Sequence, residues 1–254
     1  MTLSHQYLLN KLKRPLFAFA LSLTFCSQYS VANDELVIVV GLAKQPYVIQ
    51  TDDSGFELDL IRNILKKMGK STKFIYTTFG HSSKMFKIKE VDAIMTTNKA
   101  VFKDQSKLSD VYITYQNVAI SLKDNNLTIN TIKDLANYSI ASFQKADKLL
   151  GSDFADAAKQ SPLYFEVANQ SQQPTLLLKK RVEALVMDKN IFKYFTKDLS
   201  NKERNALFTF HQIFPGTDYK VAFKNKEYLR IFNNNLAKYK QTKEYLLLRK
   251  NYNL

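Results

Sequence analysis

The chain has 254 residues with a formal net charge of +14, a single cysteine and only six glycines. One cysteine excludes a disulfide scaffold and a multi-thiolate metal site, and glycines this sparse and scattered exclude a phosphate-cradling or dinucleotide-binding loop. Lysine supplies most of the charge and is spread along the chain rather than clustered with aromatics, so nucleic acid is not an expected partner.

Residues 1–32 have the pattern of an export signal. Lys11, Lys13 and Arg14 form a basic start, Pro15 to Cys26 is apolar, and Ser30-Val31-Ala32 places small residues before an expected cleavage at Asn33. The expected location is therefore the periplasm. Loss of the signal would take three positive charges and Cys26 with it, lowering +14 to +11. A bulky Phe25 just before Cys26 argues against lipid attachment there.

After Asn33, apolar runs alternate with helical patterns. Leu36 to Val40 is continuously apolar, as in a strand covered on both faces. A helix is expected from Gly55 to Gly69, with Glu57 and Asp59 in its first turn, Lys66 and Lys67 in its last, and an apolar stripe at Ile61, Ile64, Leu65 and Met68. Strands follow at Lys73 to Tyr76 and Val91 to Met95, with a short helix around Ser83 to Lys89 between them. Further strands are expected at Val118 to Leu122, Ser139 to Ser142, Val182 to Met187 and Tyr219 to Phe223. Helices are expected at 131–137, 145–160, 175–180, 190–196, along the stripe Leu229, Phe232, Leu236, Tyr239, and again from Lys243. This alternation argues for an α/β fold.

The motifs of common hydrolases and metalloenzymes are missing. His81 and His211 have no partner at metal-ligand spacing, and neither G-x-S-x-G nor H-E-x-x-H occurs. No metal and no cofactor is expected.

The order of segments resembles the family 3 extracellular solute-binding proteins, best known for amino-acid uptake by ABC transporters. The pieces are Gln45-Pro46-Tyr47, Gly55-Phe56-Glu57-Leu58-Asp59-Leu60, Val91-Asp92-Ala93-Ile94, Leu108-Ser109-Asp110-Val111-Tyr112, Ile132-Lys133-Asp134-Leu135, Arg181 to Asp188, and the tail from Tyr219 to Tyr252. The resemblance implies a two-lobe periplasmic binding protein fold of type II, with mixed sheets joined by two hinge strands. The first lobe would span 33–117 with 219–254 returning to it, and the second 118–218. The crossings would lie near Tyr115 to Val118 and Phe214 to Tyr219. The partners implied are a small-molecule ligand and an ABC permease of the inner membrane. A membrane sensor in place of the permease, or a dehydratase-like enzyme on the same fold, are the other readings.

The same resemblance implies a set of ligand-binding positions. The family's stacking aromatics fall on Lys44, with Tyr47 just after it, and on Phe79, which could equally be core. Hydrogen-bonding positions fall on Thr96 and Thr97. The arginine that grips an α-carboxylate in amino-acid binders is replaced by Phe102, next to Lys103, and the glycine–hydroxyl helix start of the second lobe reads Phe143-Gln144-Lys145. Asp188 matches the acid that receives a ligand ammonium, and could also simply cap the helix after it. A lysine is a point charge and cannot reproduce the two-pronged grip of a guanidinium. The expected ligand is therefore amino-acid-like or amine-bearing but not a standard α-amino acid, with Lys44, Lys103 or Lys145 as alternative anion receivers.

Overall fold

The computed structural model describes residues 35–41, 44–77 and 79–254, with Phe79, Gly80 and Ser83 described by their backbone alone. The expected export signal at 1–32 and Cys26 lie outside the described residues. Among the described residues no helix is long and apolar enough to cross a membrane.

Two five-stranded sheets organise the described residues. In the first, β1 (Glu35–Gly41) runs parallel to β2 (Ser71–Thr77) on one side and to β3 (Ala93–Thr97) on the other. Next to β3 comes β10 (Thr217–Phe223), antiparallel, and beyond it β4 (Ile113–Tyr115). The apolar run of β1 is buried on both faces. Leu36, Ile38 and Val40 enter one core cluster, and Val39 enters another with Phe86, Val91, Ile94 and Phe102. Completely buried parallel strands are expected to lack polar alternation, and this one does.

The second sheet has the order β7-β6-β8-β5-β9. Its strands β6 (Ile140–Phe143), β7 (Tyr164–Val167) and β8 (Ala184–Asp188) are parallel. Strand β5 (Asn117–Leu122) is antiparallel both to β8 and to β9 (Phe208–His211). The chain leaves the first sheet at Gln116, between β4 and β5, and comes back between the end of β9 at His211 and the start of β10 at Thr217. Both crossing strands, β5 and β10, are antiparallel to their neighbours because each enters its sheet from the opposite end. The expected divisions at 117/118 and 218/219 fall just inside β5 and β10.

Helix α1 (Phe56–Lys67) buries Phe56, Glu57, Leu58, Leu60, Ile61, Ile64 and Leu65. It packs on α8 (Lys226–Tyr239) and α9 (Lys243–Asn251), so the C-terminal helices belong to the first lobe. The short helix after β2, α2 (Phe79–Met85), begins earlier than its apolar pattern suggests. In the second lobe the helix expected at 145–160 is two pieces, α3 (Ala146–Leu149) and α4 (Ser152–Gln160). Gly151 between them has φ 90°, a left-handed conformation that breaks the helix and that glycine adopts readily. Helices α5 (Gln173–Leu178) and α6 (Lys189–Phe195) flank β8. Between them and β9 lies α7 (Asn201–Leu207), whose only buried residue is Arg204, so it carries no apolar stripe to announce it.

Candidate functional site

The start of α1 is fixed by a close backbone approach. Phe56 and Glu57 donate their N–H groups to the carbonyls of Pro46 and Tyr47, at 3.0 Å each, so the Gln45-Pro46-Tyr47 turn sits against the helix N-terminus. The Gln45–Pro46 peptide is cis. Gly55 has φ 123°, and a Cβ there would lie 2.4 Å from the Tyr47 carbonyl oxygen. Only glycine fits that seam.

This docking points Glu57 inward, where it is fully buried. One carboxyl oxygen accepts from the Tyr115 hydroxyl. The other accepts from the Tyr112 hydroxyl and, at 2.6 Å, from Thr96 Oγ1. Tyr112 in turn accepts the Thr96 backbone N–H at 2.9 Å. Lys44 Nζ lies 3.9 Å from Glu57 Oε1 and 5.5 Å from the centre of the Tyr115 ring. Burial pulls the Lys44 pKa below its ordinary value, against the opposing pull of Glu57 and Asp188. Desolvation, and then Glu57, push the Tyr112 and Tyr115 pKa values well above the usual phenol range, so both remain donors.

Thr96 sits at φ 53°, the left-handed region that a β-branched residue rarely adopts. The register between β3 and β10 slips at this point, between Lys220 and Ala222. The cross-bonding of Thr96 with Tyr112 and Glu57 holds the strained conformation and turns its side chain toward the cleft.

Across the cleft, Asp188 ends β8 and caps α6. Its Oδ1 accepts from Asn190 N (2.8 Å), Ile191 N (3.1 Å) and the Tyr47 hydroxyl (3.1 Å). Its Oδ2 accepts a single bond, from Gln116 N at 2.9 Å. Desolvation raises the Asp188 pKa to about 6, with the backbone donors pulling the other way. Asn190 Nδ2 also donates to the Tyr47 hydroxyl at 3.0 Å, so Tyr47 ties the first lobe to the second. The Tyr47 ring stacks on Tyr115 with centroids 4.2 Å apart, and Tyr115 meets Tyr219 edge-on at 4.9 Å.

Between these walls is a cavity of about 210 Å³. From the first lobe it is lined by Lys44, Thr96, Tyr115 and Tyr219, and from the second by Asn117, Phe143, Gln144, Gln170 and Asp188, among others. The Gln170 Oε1 atom is buried and accepts no hydrogen bond within the protein.

Of the positions expected from sequence, Lys44, Thr96, Gln144 and Asp188 meet at this cavity, and Tyr47 buttresses it through Asp188. Thr97, Phe102, Lys103 and Lys145 are not among its lining residues. Thr97 is buried with an unpartnered hydroxyl. Phe102 turns into the core beside Phe86, ring centroids 5.0 Å apart, because the turn after β3 folds it back under the sheet. Lys103 is exposed to solvent. Lys145 starts α3 with its backbone N–H on Glu166, at 2.7 Å. Phe79 opens α2, and its side chain lies outside the described atoms. Sequence reasoning gave Glu57 only a helix-dipole role and gave Tyr115, Tyr219 and Asn117 no site role. The signal for Glu57 was available: an acidic residue two positions past a helix-opening glycine, on the apolar face shared by Leu60 and Ile61.

Residues 36–254 match the family model of the bacterial extracellular solute-binding proteins, family 3. A curated relative, named "Probable histidine-binding protein", from Campylobacter jejuni is 26% identical over 235 residues, covering 88% of this chain and 87% of its own. Among solved structures, the ancestral amino-acid-binding protein AncCDT-1, a precursor of cyclohexadienyl dehydratase, superposes with a TM-score of 0.67 at 19% identity over 86% of this chain and 95% of its own. The GluR0 ligand-binding core in complex with L-glutamate gives 0.68 at 16% identity over 86% and 97%. The fold is thus that of type II periplasmic binding proteins, and the chain belongs to the bacterial extracellular solute-binding proteins, family 3.

Proposed function

We propose that this chain works in the periplasm as the capture component of an ABC transporter, closing its two lobes on a small amine-bearing solute and delivering it to a permease of the inner membrane. The reading rests on one observation above all. The interlobe cavity sets Asp188, with one lightly used carboxyl oxygen, across from a half-satisfied Lys44. An ammonium group on the solute would complete Asp188, and an acceptor group would complete Lys44. The rings of Tyr115, Tyr219 and Phe143 offer apolar or aromatic surface between them.

Closure fits the same geometry. The Tyr47 bonds to Asp188 and Asn190 cross the cleft, so a ligand that strengthens this contact favours the closed arrangement. The solute we propose is amino-acid-like without being a standard α-amino acid. Among the described residues no arginine lines the cavity, and the lone lysine in its place cannot grip a carboxylate with two parallel bonds. The role is binding rather than turnover: Asp188 Oδ1 is held by three donors and Glu57 by three hydroxyls, an arrangement that fixes both carboxyl groups in place.

The test is native mass spectrometry of protein purified without refolding, followed by a thermal-shift screen. A co-purifying amine of small mass, with melting raised by that compound, is the expected result. Large stabilisation by standard amino acids at millimolar concentration would overturn the ligand class.

A further inference from the structure

A second recess lies at the rim of the cleft, away from the central cavity. Pro46 and Tyr252 wall it from the first lobe, and Lys193, Tyr194, Lys197 and Arg204 from the second, enclosing about 460 Å³. An adjoining hollow of about 410 Å³ shares Lys193 and Arg204 and adds Lys189. No aspartate or glutamate lines either space. Among the described residues, none of these four cations forms an ion pair.

Arg204 carries the most deeply buried charge of the four. The residue is 5% exposed. Its guanidinium donates to Thr196 Oγ1, the carbonyls of Thr196 and Leu199, and Asn201 Oδ1, at 2.7 to 2.9 Å, all of them neutral oxygens. Those bonds hold the turn between α6 and α7 but cancel none of the positive charge. A guanidinium has five N–H donors. Four are used here, which leaves one on Nη1. Burial lowers the pKa of Lys193, and the like charges of Lys189 and Arg204 lower it further, with Asp188 pulling the other way. A buried cation beside other cations is costly unless an anion joins it.

We propose that this recess binds a small oxyanion of the phosphate type, held by Lys193 and Lys197 against the fixed charge of Arg204. The site stands apart from the solute cavity, so it holds whether or not the ligand reading above does. Its walls come from both lobes, so the anion would also bridge them.

The probe is inorganic phosphate, compared with sodium chloride at matched ionic strength. Thermal melting and titration calorimetry are run on the full chain and on the double variant Lys193→Gln/Lys197→Gln, which leaves the Arg204 turn intact. Phosphate should raise the wild-type Tm by several degrees over the chloride control, as expected at roughly 2–4 °C per kcal/mol for a chain of this size. The variant should melt cooperatively in chloride and lose the rise. Equal melting of the wild type in the two salts, or a rise that survives in the variant, overturns the site. A parallel arm uses vesicles of phosphatidylglycerol. Lysine-dependent sedimentation with them, without a response to free phosphate, would also overturn it and assign the patch to a membrane surface.

Discussion

The two walls of the cleft are built on opposite plans. On the first-lobe side, Glu57 draws its three hydroxyl donors and Lys44 from its own lobe, so its carboxylate is satisfied without any visitor. On the second-lobe side, Asp188 depends on Tyr47 from across the cleft, Gln170 Oε1 accepts nothing, and Gln173 behind it is fully buried with neither amide atom partnered. The first wall is therefore preorganised, its cost met during folding. The second leaves polar groups that closure and ligand can satisfy. Rigid and adaptable halves of one site separate the residues that set stability from those that set affinity.

Glu57→Ala should have the largest effect, because it strands three hydroxyls and a buried ammonium at once. A loss of about 3–5 kcal/mol in urea unfolding is expected, with Glu57→Gln less severe because it keeps an acceptor. A loss below about 1 kcal/mol would mean that the first wall is no more tightly built than the second. Next is Gly55→Ala, at roughly 2–3 kcal/mol, since it combines a disfavoured backbone with a collision at the Tyr47 carbonyl.

Asp188→Asn should separate affinity from stability. The side chain can still cap α6, so folding survives, while affinity for an amine ligand should fall about 30-fold, or ~2 kcal/mol. The pH dependence sharpens this. The Asp188 pKa is raised in the folded chain from 3.8 to about 6. The native state thus binds more protons than the unfolded one between those values, and stability is lost as pH rises through them, by roughly 3 kcal/mol at most. Affinity for an ammonium runs the opposite way and weakens as pH falls below about 6, where Asp188 becomes neutral. Both dependences should flatten in the variant, as read by calorimetry and melting between pH 4 and pH 8. The smallest effect is expected of Lys103→Ala. The residue is exposed and away from the cavity, so stability should stay within about 0.5 kcal/mol and ligand affinity should not move.

Long, strongly patterned elements were readable from the sequence. The runs of β1 and β8 and the stripe of α1 stand within a few residues of where their apolar patterns put them. What escaped was short or unpatterned. Strand β4 has three residues, β7 and β9 have four, and α7 buries one arginine and no apolar stripe. At the cavity, Asp188 closes β8 and Thr96 is the penultimate residue of β3, and buried strand ends of this kind, where side chains emerge at a cleft, can be read from an apolar run. Phe102 and Lys103 lie off this cavity, along a turn after β3 whose path is a tertiary fact that local spacing does not encode. Glu57 was hidden by a simpler alternative, since an acid in a first helical turn already has a helix-dipole explanation.

Strand β10 enters the interior of the first sheet, between β3 and β4, and it is made after every strand of the second. A growing chain can finish the second sheet once His211 has emerged, yet its first sheet lacks an inner member until Phe223 and lacks the cover of α8 and α9 until the last residues. The half that appears first during synthesis is thus the half that matures last.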